Sequence, residues 1–247
     1  MEYVEILRAR RALTWYTGLL IAGLVIEAIS FYAGHGHNQN NGTLEFANLA
    51  GAASFAALII ATLLAPGLSA EASHTAALIW TRPAPRDAIA ARFVGVDVTA
   101  ILIAYVIMLV AMIVGIAVVG GLPVLTFDPP LILREVMLGL GGTMMWYAAI
   151  SVAASRLPGR APLLAGLSWG VFPILISLLF APWLPLWLHD IVYALNFLNP
   201  LAWMGGTTPH GSSFIFPFSF WPRVLGTWLI AIAMLVASVR LWSTREA

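Results

Sequence analysis

The densest group of ionisable side chains in this sequence lies in a short stretch between two long apolar runs. The stretch, residues 70–92, carries a cluster of polar residues and one well-placed proline: Glu71, His74, Thr75, Arg82, Pro83, Arg86 and Asp87. A proline ends a helical turn, and the guanidinium groups beside it can bind carboxylates on a partner surface. The predicted chemistry is therefore protein recognition. The alternative is that these arginines only set the membrane topology.

Two residue types that many reactions require are missing from the sequence. All 12 basic residues are arginine, and the chain has no lysine and no cysteine. A Walker A loop needs a lysine on the nucleotide phosphates, and pyridoxal and retinal proteins need one for the Schiff base. Thiolate metal sites, disulfides and cysteine nucleophiles are excluded as well. The chain therefore cannot itself be a P-loop ATPase, and we predict that it binds no cofactor of its own.

A few polar or adaptable residues lie inside the apolar runs and are candidates for a substrate pathway. Glu27 is costly in a bilayer unless it is protonated, paired or next to water. A second group, which combines flexible thioethers with aromatic rings, is suited to an adaptable apolar pocket or to ordinary packing: Met144, Met145, Trp146 and Tyr147. Asp97 lies close to Arg92 in sequence, so we expect the two to form an ion pair at the interface.

None of the five histidines falls within an apolar run. His35 and His37 share a loop of glycine and asparagine, which is a weak signal for metal binding, and we predict no metal site. His189, Asp190 and His210 stand near the end of an apolar run. They are the candidates if the chain is instead an enzyme acting on lipid-linked substrates, although they form no recognisable set of nucleophile, base and orienting group.

The composition predicts a membrane protein that positions these residues on helices. Of 247 residues, 61% are hydrophobic and 9% charged, and the mean hydropathy is +0.92. About 20 apolar residues are needed to cross a bilayer as a helix. Six stretches qualify, which predicts an all-α integral membrane protein with one domain over 1–247: 12–33, 46–69, 93–119, 131–155, 161–181 and 221–242. The net charge of +1 makes nucleic acid an unexpected partner.

The arginines predict the orientation, because cytoplasmic loops retain positive charge. They cluster before the first span, between the second and third, between the fourth and fifth, and at the end of the chain, so both termini are predicted to be cytoplasmic. Arg134 and Arg223 fall on the other side, where we expect each to reach the interface. Residues 1–11 have Ile6 and Leu7 on one helical face and Glu5 and Arg8 away from it, which predicts a separate amphipathic helix in the interface.

The segment 182–220 is apolar and aromatic but broken by prolines, so we expect it to be interfacial or re-entrant between the fifth and sixth spans. Small residues mark two spans as packing surfaces. Gly166 and Gly170 form a G-x-x-x-G in the fifth span, and Gly139, Gly141 and Gly142 lie in the fourth, which favours close helix packing or self-association.

The stretch from Glu71 to Phe93 resembles the characteristic cytoplasmic loop of type-2 ABC exporter permeases. In that family an acidic residue and a threonine open a short helix, and Pro-x-x-Arg closes it before the third span. Thr75, Pro83 and Arg86 match this pattern and Glu71 matches loosely, while His74 stands where the family has a small residue. Similarity extends to the six-span architecture and, faintly, to the segment LNFLNPLAW before the last span.

The resemblance implies a function that the residues alone do not give. In such permeases the loop forms a coupling helix that docks on a separate ATPase, so it implies two ATPase copies with MgATP, a second or related permease, and a multi-pass position in a prokaryotic inner membrane. The chain would be a transport subunit rather than an enzyme, and its apolar composition favours a drug, lipid or peptide as substrate. Membrane lipids are further expected partners. The remaining alternatives are a lipid-modifying enzyme and a non-transporting assembly factor.

Overall fold

The structure, a computed structural model, is that of an all-α membrane protein. It describes residues 2–33, 43–69, 85–120, 124–204, 216 and 218–244, although some side chains near the ends of these ranges, including that of Glu27, are outside the description. Within the described residues, five helices are long and apolar enough to cross a membrane: Phe46–Ser69, Arg86–Ala117, Pro129–Arg156, Ala161–Leu179 and Phe220–Ser243. They coincide with the second to sixth predicted spans. The first predicted span, 12–33, stays a prediction.

The helices follow one another in chain order with two very short strands between them. They are α1 (Glu2–Ala33), α2 (Phe46–Leu64), α3 (Arg86–Gly120), α4 (Pro129–Arg156), α5 (Ala161–Leu179), α6 (Leu186–Asn196), α7 (Pro200–Met204) and α8 (Phe220–Ser243). The strands β1 (Thr43–Glu45) and β2 (Val124–Thr126) pair in parallel, with Glu45 opposite Thr126. This pairing holds the three residues before α2 against the segment that leads into α4.

Helix α4 lies at the centre of the bundle. It packs most extensively against α8 and α2, while α1 runs along α3. The glycines of α4 allow this close approach, because a Cβ at Gly139 would overlap the Ser54 side chain and one at Gly142 would overlap Met204. The expectation of close packing on this face of α4 is confirmed. Gly166 and Gly170 of α5 differ, since a Cβ at either meets no heavy atom within 4 Å.

The N-terminal residues depart from the predicted interfacial helix in two ways. Residues 2–33 form one continuous helix, so 1–11 is not a separate element. The predicted faces are also reversed: Glu5 is fully buried, whereas Ile6 is 49% exposed. The sequence pattern did separate the two faces correctly. The assignment of the polar face to water was wrong because that face meets charged partners inside the protein.

The segment between α5 and α8 contains two short helices, and neither is long enough to span a bilayer. Two asparagines of LNFLNPLAW hold it to α5. Asn196 Nδ2 donates to the carbonyl of Leu175 at 3.0 Å, and Asn199 Nδ2 donates to that of Phe172 at 2.8 Å. Trp183 remains 72% exposed. A re-entrant or interfacial position for this segment stays a prediction.

Candidate functional site

A buried cluster of charged groups joins four helices near the start of α1. Arg8 Nη2 of α1 lies 3.2 and 3.3 Å from the two carboxylate oxygens of Asp97 in α3 and donates to the carbonyl of Leu64 in α2 at 3.0 Å. It also donates to Glu5 one turn earlier. From α4, Tyr147 Oη donates to Asp97 Oδ2 at 2.7 Å. We call these four side chains, Glu5, Arg8, Asp97 and Tyr147, the buried tetrad.

The tetrad is almost entirely shielded from solvent. Glu5, Asp97 and Tyr147 are each 0% exposed, and the Arg8 side chain is 25% exposed. Gly67, just after α2, makes room for the guanidinium, because a Cβ there would overlap it. A buried ion pair is costly to break, since removing one partner leaves an uncompensated charge. The tetrad therefore fixes α1 against α2, α3 and α4 at one level of the bundle.

Two carboxyl groups share one guanidinium in this cluster, so the charges do not balance if both acids are ionised. Burial raises the pKa of Glu5 to about 8, and the nearby negative charge of Asp97 acts in the same direction. Glu5 Oε2 is buried and makes no hydrogen bond within the described residues. The raised pKa favours the protonated form of Glu5 at neutral pH, while the Arg8 guanidinium contacts both carboxyl groups.

The sequence had suggested Arg92 as the partner of Asp97, and this was wrong. Asp97 lies on the face of α3 that points into the bundle, where Arg8 reaches it from another helix. Arg223 is a second correction, because it is 0% exposed and donates to the carbonyl of Trp203 at 3.0 Å instead of reaching the interface. In both positions a long-range partner inside the protein overrides the sequence neighbourhood.

Only two of the predicted coupling residues lie in the described part of the chain. Five are outside it: Glu71, His74, Thr75, Arg82 and Pro83. Arg86 is the first residue of α3, and Asp87 follows it in the first turn. Asp87 Oδ2 accepts a hydrogen bond from Arg240 Nη1 of α8 at 2.9 Å. This exposed ion pair ties the start of α3 to the end of the last helix.

The predicted pathway residues of α4 are packed in the core. Met144 is 3% exposed, and Met145, Trp146 and Tyr147 are 0% exposed. Trp146 Nε1 donates to Thr62 Oγ1 at 2.8 Å, and its ring lies against Trp169 and Phe172 with centroids 5.0 Å away in each case. Their burial in this single chain fits the alternative stated above, that these residues serve ordinary packing. The Glu27 side chain lies outside the described part.

Two clefts open beside this core. One of about 790 Å³ lies at the start of α4, between Glu45, Asp128, Arg134 and Trp221. The other, of about 1070 Å³, lies between α1 and α3 and carries Arg10 and Arg92 in its lining. The second runs along α1 and α3, the two helices that contribute Glu5, Arg8 and Asp97 to the buried tetrad.

Of the alternative histidine site, only His189 and Asp190 lie in the described residues. His189 Nε2 donates to the carbonyl of Leu179 at 3.2 Å, which fixes the ring to the end of α5. His35, His37, His74 and His210 lie outside the description. Among the residues that the structure does describe, no three His, Cys, Asp or Glu side chains come together to hold a metal ion.

The sequence analysis missed Glu5 and Arg8 as site residues. Their spacing of three places both side chains on one helical face, which was the available signal. Arg8 had been counted only as a topology marker, because nothing in one sequence identifies a partner 89 positions away.

Comparison with known proteins adds no family to these observations. No family model matches the chain, and no similar curated protein or solved structure was found.

Proposed function

We propose that this chain is the membrane permease subunit of an ATP-driven ABC exporter. The observation that carries the proposal is the course of α3, a single 35-residue helix from Arg86 to Gly120. It starts at the arginine of the Pro-x-x-Arg motif and contains Asp97 of the buried tetrad. The distance along the helix between Arg86 and Asp97 is about 16 Å. A force on the loop would therefore reach the interior of the bundle through one rigid element.

Two points along α3 are held in different ways, and that difference supports the proposal. Asp87 and Arg240 form an exposed pair, with side chains 47% and 70% exposed, which is worth about 0–1 kcal/mol. Asp97 and Arg8 form a buried pair, which costs about 3–5 kcal/mol to break from one side. The start of α3 is thus weakly attached to α8, while its middle is firmly attached to α1. A partner that binds the loop would move α1 and α3 together.

The residue types indicate that ATP is hydrolysed by a separate subunit. The chain lacks the lysine of a Walker A motif. ATP hydrolysis, with its magnesium ion, is assigned to two copies of a separate ATPase, and a second permease copy or a related permease completes the assembly. Closure of the ATPases would shift the loop 70–85 and tilt the bundle as a rigid body between inward and outward states. The substrate class is a drug, lipid or peptide, and the location is a prokaryotic inner membrane.

The test uses the absence of native cysteine. A Thr75→Cys variant carries one thiol on the loop and receives a cysteine-to-amine cross-linker in native membranes. The expected result is that an ATP-hydrolysing subunit purifies with the chain and is joined to position 75. A matched variant, Ser243→Cys at the end of α8, controls for non-specific cross-linking. A stable chain with no ATPase partner and no specific cross-link would refute the proposal.

A further inference from the structure

Buried polar side chains lead from the buried tetrad toward the end of the bundle at which α4 and α8 finish. Tyr147, Ser151 and Ser155 follow one another at intervals of four residues, so they share one face of α4. Tyr147 belongs to the tetrad, and Ser151 is 1% and Ser155 2% exposed. Ser155 is the penultimate residue of α4, and Arg156 after it is exposed, so this face of α4 ends next to solvent.

Helix α8 adds two polar side chains to this arrangement. Contacts at two levels show that α4 and α8 run parallel, and at the second level the hydroxyl oxygens of Ser151 and Ser238 are hydrogen-bonded at 2.6 Å. Ser155 and Trp242 each lie four residues further along their helices. They are therefore at the same level, one turn closer to the end of the bundle. We call Ser151, Ser155, Ser238 and Trp242 the polar row.

Three buried polar atoms at the end of the polar row have no hydrogen-bond partner within the described part of the chain. They are Ser155 Oγ, Trp242 Nε1 and Ser69 Oγ. Ser69 belongs to this region because Leu68 beside it packs in one apolar cluster with Trp242. Glu5 Oε2 of the tetrad is likewise buried and unpartnered. Buried polar atoms are normally paired with protein groups or with ordered water, so these positions indicate water between the tetrad and the end of the bundle.

The spacing of the hydroxyl groups suits hydrogen bonds bridged by water. One turn of helix separates Ser151 from Ser155, and four residues correspond to about 6 Å. Two hydrogen bonds of about 2.8 Å through one water molecule span that distance. Ser69 lies two residues after Gly67, which contacts the Arg8 guanidinium, so it connects this region to the tetrad. Because a hydroxyl group both donates and accepts, such a chain can pass a proton.

We propose that the buried tetrad is a proton-binding site that exchanges protons with water at this end of the bundle through the polar row and Ser69. With both acids ionised the tetrad has a net charge of −1, and with one proton bound its net charge is zero. Two carboxyl groups that share one guanidinium away from water favour the uptake of one proton. Uptake forms one O–H bond at a carboxyl oxygen, and the hydronium ion that supplies the proton becomes water.

The groups around Glu5 are consistent with a site for a single proton. Within the described residues, the charged and titratable groups that face it come from three helices, and α2 contributes a carbonyl: Arg8 on α1, Asp97 on α3, Tyr147 on α4 and the backbone oxygen of Leu64. One cation and one further acid thus surround Glu5. The proposal concerns the tetrad itself and holds whether or not the chain is a transporter.

Infrared spectroscopy of the purified full chain in lipid nanodiscs, recorded across a pH titration, tests the binding of the proton. The expected result is a protonated-carboxyl band that disappears with a midpoint of about 8, because burial raises the pKa of Glu5 to about 8. Glu5→Gln abolishes this pH-dependent band. The matched control, Asp190→Asn, removes an exposed carboxylate of α6 and leaves the band unchanged. A pH-dependent band that persists in Glu5→Gln, or its absence from the unmodified chain, would overturn the proposal.

Rapid transfer of the same sample into D₂O tests the route. The band shifts as deuterium replaces the proton, and the time course of the shift gives the exchange rate. A variant with Ser69→Ala, Ser151→Ala and Ser155→Ala removes three hydroxyls, and we expect exchange to slow about tenfold, which corresponds to one lost hydrogen bond in the barrier. The band itself remains, which shows that the tetrad is intact.

The matched control for the route is Ser168→Ala. Ser168 is a buried serine of α5, its hydroxyl donates to the carbonyl of Ala165, and it lies outside the polar row. The control is expected to keep the exchange rate of the unmodified chain. An unchanged rate in the triple variant, or an equal slowing in Ser168→Ala, would overturn the polar row as the route.

Discussion

In the buried tetrad, either Glu5 or Asp97 can be the ionised partner of Arg8. A double-mutant cycle on the two carboxyl groups tests this prediction. The raised pKa of Glu5 predicts that at neutral pH Glu5 keeps its proton while Asp97 is the ionised partner of Arg8. Glu5→Gln keeps a neutral group in the folded state and removes the cost of protonating Glu5 on folding, which is about 1.4 kcal/mol for each pH unit between about 4.5 and pH 7, so at pH 7 we expect it to stabilise the chain by about 3 kcal/mol. Asp97→Asn removes the ionised partner, but Glu5 ionises in its place because the repulsion from Asp97 is gone. The weakened bond of Tyr147 costs about 1–3 kcal/mol, but Glu5 is no longer protonated on folding, so the net change at pH 7 runs from about zero to about 2 kcal/mol of stabilisation.

The double variant leaves Arg8 with no carboxylate, so the full cost of an unpaired buried charge returns. That cost is about 3–5 kcal/mol, so with the protonation cost of about 3 kcal/mol removed the double variant is between as stable as the unmodified chain and about 2 kcal/mol less stable. Each single variant keeps a carboxylate for Arg8 and the double variant keeps none, so the two substitutions are non-additive, with an interaction energy of at least about 3 kcal/mol. The assay is equilibrium unfolding in mixed micelles at pH 7, followed by tryptophan fluorescence.

Additive effects within about 0.5 kcal/mol would refute this exchange of partners. A Tyr147→Phe variant is the control. It removes one hydrogen bond to a charged group, at about 1.5–3 kcal/mol, and leaves both carboxyl groups in place.

Three further predictions follow from the same packing. The pKa of Glu5 is raised, so its contribution to stability is fully present below about pH 4.5 and is lost as the pH rises toward 8, at up to about 1.4 kcal/mol per pH unit. The free energy of unfolding, measured from pH 5 to 8, should fall with this slope, and Glu5→Gln should flatten it. An unchanged slope in the variant would show that another group titrates. Gly139→Ala should destabilise by about 1–3 kcal/mol because its Cβ overlaps Ser54, whereas Gly170→Ala should stabilise by about 0.5–1 kcal/mol. Equal melting temperatures for the two glycine variants would contradict the packing of α4. Asp87→Asn should cost less than about 1 kcal/mol in the same unfolding assay, and a larger loss would show that the exposed pair is structural.

Much of the fold was readable from hydrophobicity alone. Long apolar runs require helices in a bilayer, and five of the six predicted spans coincide with helices suited to cross it. The glycines of α4 were likewise identifiable as a packing face, because small residues allow close helix approach. These features depend on local sequence, which is why the pattern sufficed.

The buried tetrad was not readable in the same way. Asp97 had a nearer arginine in sequence, Arg92, but the rotation of α3 turns the carboxylate toward α1. Glu5 and Arg8 looked like a solvated face, because periodicity identifies a polar face without saying what it meets. Arg223 shows the same limit, since its partner is a backbone carbonyl that leaves no trace in sequence. Partner choice depends on helix rotation and register, which one sequence does not encode locally.

The central claim is that the loop before α3 transmits ATP hydrolysis on a partner into this bundle. Its most direct test is the ATPase activity of the purified complex in proteoliposomes, with Arg86→Ala compared with Arg160→Ala. We predict that Arg86→Ala abolishes the stimulation of hydrolysis by the permease while the complex stays intact, and that Arg160→Ala retains it. Equal stimulation in both variants, or a chain that purifies without any ATP-hydrolysing subunit, would contradict the account.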